Sequence, residues 1–362
     1  MTTKKILFIS HDANRNGAPI VFLHMLKWLR TNTDMPFDVL LKAGGPLADA
    51  FAAIAPVTCW SDQWTFNADD YGLIYTNTIT NGDVLATLDA PLPPVITHAH
   101  EMDYWIQYRL DEQNKESTLA HTTHYVAVSK AVQSALERLL QIPCERISVI
   151  NECIRVPDDP GKPDAALQRK LGIPDDAMIV GGSGTTDWRK APDLFIQLAG
   201  YVQRLLPDRP VHFLWVGGAN QGPVWGKLRH DAQRIGLQDR VHFTGHVENP
   251  MAYYRLFDVF AMVSREDPFP LVNLEAGALG IPTVCFKGSG GSEEYVEAGG
   301  GLAVPYLDLP AMADRMAGLL CAPDKRNAMG TRARETVRSR YDVSVIAPRI
   351  AKLIKAHMRN DR

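Results

Sequence analysis

The chain has 362 residues, of which 46% are hydrophobic and 22% charged, with a formal net charge of −3 and a pI of about 6.4. That length exceeds one ordinary core and suits two domains, and the composition excludes a disordered or fibrous chain. Lysine and arginine are dispersed, with no basic run and no zinc-finger spacing, which argues against nucleic acid as a partner.

Short β-rich runs alternate with helical patterns along the chain. Ile6–Ser10 reads as a first buried strand and Ala18–Arg30 as a helix. Phe37–Leu41, Leu73–Asn77, Val95–His98 and Tyr125–Ser129 read as further strands, with helices at Asn81–Leu88, Asp103–Leu119 and Lys130–Leu140. Ser148–Asn151 closes this half as a strand. The segment V-P-D-D-P-G-K-P, Val156–Pro163, has no periodicity and reads as a linker. The alternation then restarts. Met178–Gly182, Val211–Val216, Val241–Thr244, Val259–Val263 and Thr283–Phe286 read as strands. Ala191–Leu206, Lys227–Ile235, Leu271–Leu279, Pro310–Leu320 and Lys325–Tyr341 read as helices, and Val343–Met358 as a final amphipathic helix. Such alternation predicts parallel sheets covered on both faces. The expected division is an N-terminal Rossmann-like domain over 1–157, a C-terminal one over 164–342, and a closing helix over 343–362 that packs back on the first domain.

The cysteines, Cys59, Cys144, Cys153, Cys285 and Cys321, are odd in number and contain no CxxC pair. That usage fits a reducing cytosol, and each is expected to be a small buried hydrophobe. The opening M-T-T-K-K-I-L-F-I-S lacks a signal-peptide pattern, and no stretch reaches the roughly 18 apolar residues of a spanning helix. The expectation is a cytoplasmic protein, with a peripheral contact at the inner membrane face left open.

The most informative segment is S-R-E-D-P-F-P-L-V-N-L-E, Ser264–Glu275. It follows an apolar strand and opens a helix, so Leu271 and Val272 offer backbone N–H groups at a helix start, where phosphate is favoured. Pro270 suits the first helical position. Asp267 and Glu275, with seven residues between them, are two carboxylates able to face one ligand. Helix capping by Asp267, with Glu275 an ordinary helix acid, is the structural alternative.

The segment resembles the signature E-G-F-G-L-V-x-L-E of retaining glycosyltransferases of glycosyltransferase family 4, here written D-P-F-P-L-V-N-L-E. The resemblance implies an α/β architecture with the GT-B fold, two Rossmann-like doubly wound parallel-sheet domains facing a cleft. It also implies that Glu275 holds the ribose of a nucleotide sugar, that Asp267 contacts the sugar, and that amides around Phe269, Leu271 and Val272 hold phosphate or sugar. Asp267 is one methylene shorter than the family's glutamate. Pro268 and Pro270 replace two glycines and remove two N–H donors. Glu266 is the adjacent alternative for the sugar contact.

Other motifs extend the resemblance over most of the second half. G-S-G-T-T-D-W-R-K, Gly182–Lys190, matches the place of a basic clamp on the donor diphosphate. Lys190 aligns with the family lysine. Thr185 stands where an arginine is common, which leaves Arg189 as a substitute. G-S-G-G-S-E-E, Gly288–Glu294, resembles a Gly-Gly-x-x-Glu turn and places Glu294 at the matching position. F-T-G-H-V, ending at Val247, resembles the base-contacting loop, and Asn249–Phe260 the helix leading into the signature strand. In the first half, N-R-N-G-A-P holds Gly17 after the first strand, and H-A-H-E places His100, or else His98, where the family keeps a histidine beside the donor sugar. A turn glycine and a core histidine are the plain alternatives. Trp60, Trp64 and Phe66, and Tyr104, Trp105 and Tyr108, are expected to pack; an acceptor platform or membrane contact beside Arg109 is the sharper alternative.

The resemblance implies a retaining transfer of sugar from a nucleotide diphosphate sugar to a hydroxyl of a glycan or lipid-linked glycan, in bacterial surface polysaccharide assembly. Asp267, His100 and Lys190 are the expected catalytic residues. Gly17, Arg189, Lys190, Val247, Phe269, Leu271, Val272, Glu275 and Glu294 are the expected donor contacts. No Asp-x-Asp motif stands in a suitable loop, so no metal and no cofactor are expected. An epimerase or phosphorylase on the same fold, and a non-catalytic nucleotide-sugar binder, remain as alternatives. An NAD-dependent enzyme fits least, because no GxGxxG is present.

Overall fold

In a computed structural model of the chain, residues 4–61, 63–88 and 91–358 are described. The chain divides into two compact units, one of Met1–Arg155 with Tyr341–Arg362, the other of Val156–Arg340.

The first unit is built on a seven-stranded sheet: β1 (Lys5–Ser10), β2 (Phe37–Leu41), β3 (Val57–Cys59), β4 (Tyr71–Asn77), β5 (Val95–Ala99), β6 (His124–Ala127) and β7 (Ile147–Val149). Its order is β3-β2-β1-β4-β5-β6-β7, and every pairing is parallel. The near-continuous apolar runs of β1 and β5 are buried throughout their inner lengths, as a sheet covered on both faces requires. Phe8, Phe22, Phe37 and Tyr75 pack edge-on, tilted or stacked with ring centroids 5.3–6.3 Å apart, each such side chain contributing about 1.5–3 kcal/mol on burial. Trp60, Trp64 and Phe66 pack against the cluster around Leu7, Ile9 and Ile74.

The second unit carries a six-stranded sheet: β8 (Met178–Ser183), β9 (Val211–Val216), β10 (Val241–Phe243), β11 (Val259–Met262), β12 (Thr283–Phe286) and β13 (Gly301–Val304). Its order, β10-β9-β8-β11-β12-β13, is again wholly parallel. Phe195, Phe213 and Trp215 anchor its core. In each sheet the order reverses direction once, beside β1 and beside β8, so the loops after β1 and β4, and after β8 and β11, lie at the switch points where such sheets bind ligands.

Several expectations need correction. Asp103–Leu119 is two helices, Asp103–Tyr108 and Glu112–His121. Asp111 restarts the chain by accepting from Asn114 N at 2.9 Å, an N-cap that outweighs continued helical propensity. β3 and β13 were not expected; both are short, and β13 opens on the last of three consecutive glycines, which mask its pattern. Pro270 is the N-cap residue of the helix Leu271–Ala278, not its first helical residue. Cys59, Cys144 and Cys321 are exposed, while Cys153 and Cys285 are buried, and all five thiols are free. Tyr104 and Trp105, each 37% exposed, and Tyr108, at 72%, do not pack into a core; that helix buries Ile106 instead. The final helix, Val343–His357, belongs to the first unit, where Arg349 donates to Val149 O at 3.0 Å. Among the described residues no helix is long and apolar enough to cross a membrane.

Candidate functional site

In the second unit the loops after β8 and β11 meet. Asp187 staples the first of them: its carboxylate accepts from Thr185 Oγ1 at 2.5 Å and from Lys190 N at 2.9 Å. Ala191 then takes a left-handed conformation, φ 60°, and the helix Pro192–Leu205 begins. This turn delivers Lys190 Nζ to the carboxylate of Asp267, in the loop after β11, as a close ion pair. Both side chains are largely buried, 15% and 6% exposed. A carboxylate so far from water requires a countercharge, and Lys190 supplies it. Asp267 does not cap the helix that follows, for that helix has no side-chain cap.

Arg265, which the sequence reading passed over, locks the two loops together. Its guanidinium bonds both carboxylate oxygens of Asp193, at 3.0 and 2.6 Å, and Trp188 O at 2.9 Å. Its own amide donates to Arg189 O at 2.8 Å, and the guanidinium lies 5.5 Å from the Trp188 ring centroid. A planar fork suits this bidentate, stacked arrangement and an ammonium would not. The side chain of Arg189 is half-buried, and its backbone carbonyl accepts from the Arg265 amide.

The glycine turn after β12 supports the signature loop from the other side. Asp267 N donates to Ser289 O at 2.7 Å, and Gly291 N donates to Asp267 O and Pro268 O at 3.2 and 3.0 Å. Gly290 has φ 123°, which only glycine adopts readily. A Cβ on Gly291 would lie 2.3 Å from the Phe269 ring and 2.6 Å from Pro268 O. The glycines therefore permit a backbone contact that holds the aspartate loop and the buried Phe269 in place. Asn273 Nδ2 adds a bond to Ser292 Oγ at 3.0 Å. Glu293 accepts from Gly288 N at 2.9 Å, closing the turn, while Glu294 is half-buried beside it.

The helix Leu271–Ala278 starts with no acid in its first turn, and no acceptor for the amides of Leu271 and Val272 is recorded among the described residues. One turn along, Glu275 retains some solvent contact, yet burial raises its carboxyl from 4.5 to about 7. No donor to that carboxylate is recorded among the described residues. Its charge acts on Tyr254, whose hydroxyl lies 2.7 Å from Ser183 Oγ. Ser183 Oγ donates to Val216 O at 2.9 Å, so the tyrosine is the donor to the serine. Burial, with the charge of Glu275 adding to it, holds the Tyr254 phenol far above its ordinary range. The result is an uncapped helix start, two open amides and a carboxylate lacking donors, at one switch point. Such a set suits a ligand carrying both phosphate and hydroxyl groups.

Val247 is half-buried in the loop after β10, at the edge of the sheet and two strands from β8. Gly17 and His100 lie in the first unit. Gly17 is exposed and opens the helix Gly17–Asn32, whose N-cap Asn16 makes no side-chain cap bond. His100 follows β5; its Nδ1 lies 2.6 Å from Glu152 Oε1 and its Nε2 2.7 Å from Asn77 Oδ1. His98 points into the core, with Nδ1 3.0 Å from the Tyr75 hydroxyl, and burial depresses its pKa strongly. Glu152 and Asn77 were not singled out from sequence, since neither belongs to a spaced motif. Among the described residues no group of three His, Cys, Asp or Glu side chains is placed to hold a metal ion.

Comparison with known proteins bears on this arrangement. Residues 164–336 match the family model described as glycosyl transferases group 1. A D-inositol 3-phosphate glycosyltransferase of Corynebacterium urealyticum is 32% identical over 193 residues, which cover 52% of this chain and 45% of that protein. The chain spans about half the length of the curated relatives it matches. Among solved structures, Anabaena HepE in complex with UDP superposes with a TM-score of 0.81 at 22% identity, covering 97% of this chain and all of that one (100%). WaaG, a glycosyltransferase involved in lipopolysaccharide biosynthesis, does so with a TM-score of 0.72 at 15% identity, covering 96% of this chain and 99% of that one. The two parallel sheets and these likenesses establish the GT-B fold, and residues 164–336 are similar to the glycosyl transferases group 1 family.

Proposed function

We propose that the protein is a retaining glycosyltransferase of family 4 that moves a sugar from a nucleotide diphosphate sugar to a hydroxyl of a glycan or glycolipid, in surface polysaccharide assembly. The observation that carries the reading is the conjunction at one switch point of the buried Lys190–Asp267 pair, the open amides of Leu271 and Val272, and the donor-free carboxylate of Glu275. The relatives named above are glycosyltransferases, and HepE was crystallised with UDP. In this reading Glu275 accepts from the ribose hydroxyls and the helix start receives the diphosphate. Lys190, with Arg189, offsets the charge that grows on the departing diphosphate, while Asp267 meets the sugar and His100 is the catalytic residue of the first unit. Val247 and Glu294 complete the donor contacts from their loops. The diphosphate competes with Asp267 for the Lys190 ammonium, so donor binding and the release of Asp267 toward the sugar are one event. Fixed cations take the part a metal would otherwise play, and the transfer needs none.

The test is transfer of labelled sugar from UDP, GDP and dTDP donors to hydroxyl acceptors, with and without chelator, and the anomeric configuration of the product. Glu275→Ala is expected to weaken donor binding at least tenfold, the loss of about 1.4 kcal/mol or more of charge-assisted hydrogen bonding. Lys190→Ala is expected to lower kcat more than it raises KM. Wild-type behaviour in both variants refutes the assignment, and inversion of the product refutes retention.

A further inference from the structure

The first unit holds a buried polar cluster at the carboxyl ends of its strands that no motif accounts for. Asn77 ends β4, His98 and His100 flank the end of β5, and Glu152 stands three residues beyond β7. Asn77 is 1% exposed and Glu152 5%. His100 is clamped between them, Nδ1 to Glu152 Oε1 at 2.6 Å and Nε2 to Asn77 Oδ1 at 2.7 Å. Nδ1 faces the Glu152 carboxylate, which fixes a proton there, and with Asn77 Oδ1 turned to Nε2 the arrangement suits the doubly protonated ring.

The surroundings favour the same state. Glu152 Oε2 is buried with no partner among the described residues. A carboxylate buried with one oxygen unsatisfied is costly unless a cation faces it, and the facing group is His100. Burial opposes a charge on His100, but the ion pair with Glu152 and the nearby Glu101 outweigh it, and the pKa is raised. Glu101 is itself held by donors: Thr78 Oγ1, His100 N at 2.8 Å and Ile79 N at 3.3 Å. The other titratable neighbours are His98, its ring centroid 4.5 Å away and kept neutral by burial and by the charge on His100, and His11, beside Asp12, also depressed by burial. Two adjacent histidines are thus driven to opposite protonation states, a common sign of assigned roles in a site.

We propose that Glu152 is a positioning residue that acts through His100, fixing the plane of its ring and keeping it a cation, with Asn77 as the second jaw of the clamp. The inference rests on the sugar-transfer reading for what the cation serves. The clamp itself is independent of that reading. A glutamine in place of Glu152 keeps an acceptor for Nδ1 but removes the charge, so the two contributions separate.

The experiment is a titration of the histidine Cε1 resonances in the full chain, with the His100 signal assigned by its loss in His100→Gln, followed by kinetics. In the wild type His100 is expected to titrate above 6.5, and in Glu152→Gln its midpoint is expected to fall by about one pH unit or more. Glu152→Asp restores most of the shift. In the transfer assay Glu152→Gln is expected to lower kcat about tenfold or more at neutral pH with donor KM unchanged. The alkaline fall of its rate moves to lower pH in step with the resonance. An unchanged His100 midpoint overturns the clamp. A shifted midpoint with an unshifted rate profile overturns its role in the reaction. Failure of the sugar-transfer reading shows instead as no transfer from any donor by the wild type, while the resonance shift persists. Should Glu152→Gln not fold, Asn77→Asp tests the other jaw: the second carboxylate is expected to raise the midpoint further, and no rise overturns the proposal.

Discussion

Glu275→Gln isolates the feature on which nucleotide recognition depends in the proposed reading. The folded chain holds this carboxyl at about 7 by burial, against 4.5 for an ordinary glutamate. In the unfolded chain the proton leaves near 4.5, and in the folded chain it stays on until about 7. Between those values the folded state binds more protons, so stability is fully present below about 4.5 and is lost as pH rises to about 7. That displacement corresponds to about 3 kcal/mol at most, and the partial solvent contact of Glu275 reduces the expectation to about 2 kcal/mol. Glutamine has no proton to lose and keeps nearly the same shape. Urea unfolding of wild type and Glu275→Gln at a series of pH values from 5 to 8 reads the difference, and every other titrating group cancels between them. The variant is expected to gain on the wild type steadily with pH, by about 2 kcal/mol over that range. Curves that stay parallel across the range refute the claim that burial strains this carboxylate.

Two further outcomes follow from the same site. If ribose hydroxyls donate to Glu275, nucleotide binding lowers its pKa, and binding at pH 7 releases up to about half a proton; calorimetry in buffers of different ionisation enthalpy measures this, and Glu275→Gln abolishes it. Gly291→Ala forces a Cβ to within 2.3 Å of the Phe269 ring and 2.6 Å of Pro268 O. It is expected to cost about 1–3 kcal/mol in unfolding free energy and to weaken nucleotide binding by displacing the aspartate loop, both readable from one thermal-shift series with and without UDP.

The signature segment was legible because its parts are local. An apolar strand, a turn and a helix start lie within Val259–Ala278, and the two acids keep a fixed separation along the chain. The Lys190–Asp267 pair was not legible as a pair, since its partners lie 77 residues apart and meet only through the β8–β11 pairing. Arg265 was missed for the same reason: its partner Asp193 lies 72 residues away. Glu152 carries no local pattern at all, and only the parallel order β5-β6-β7 brings it to His100.

Sequence alone determined what depends on neighbours along the chain: the apolar runs that become buried parallel strands, the spacing of helix faces such as Val132, Ala135, Leu136 and Leu140, and the strand, turn and spaced acids of Val259–Ala278. Tertiary structure decided what depends on groups brought together from a distance. It split Asp103–Leu119 at the Asp111 cap and left Cys59, Cys144 and Cys321 at the surface. It also set the charge states of Glu275, His98 and His100. Backbone preference and hydrophobic period are short-range properties, whereas burial and ion pairing depend on which strands lie side by side, and no local pattern encodes that order.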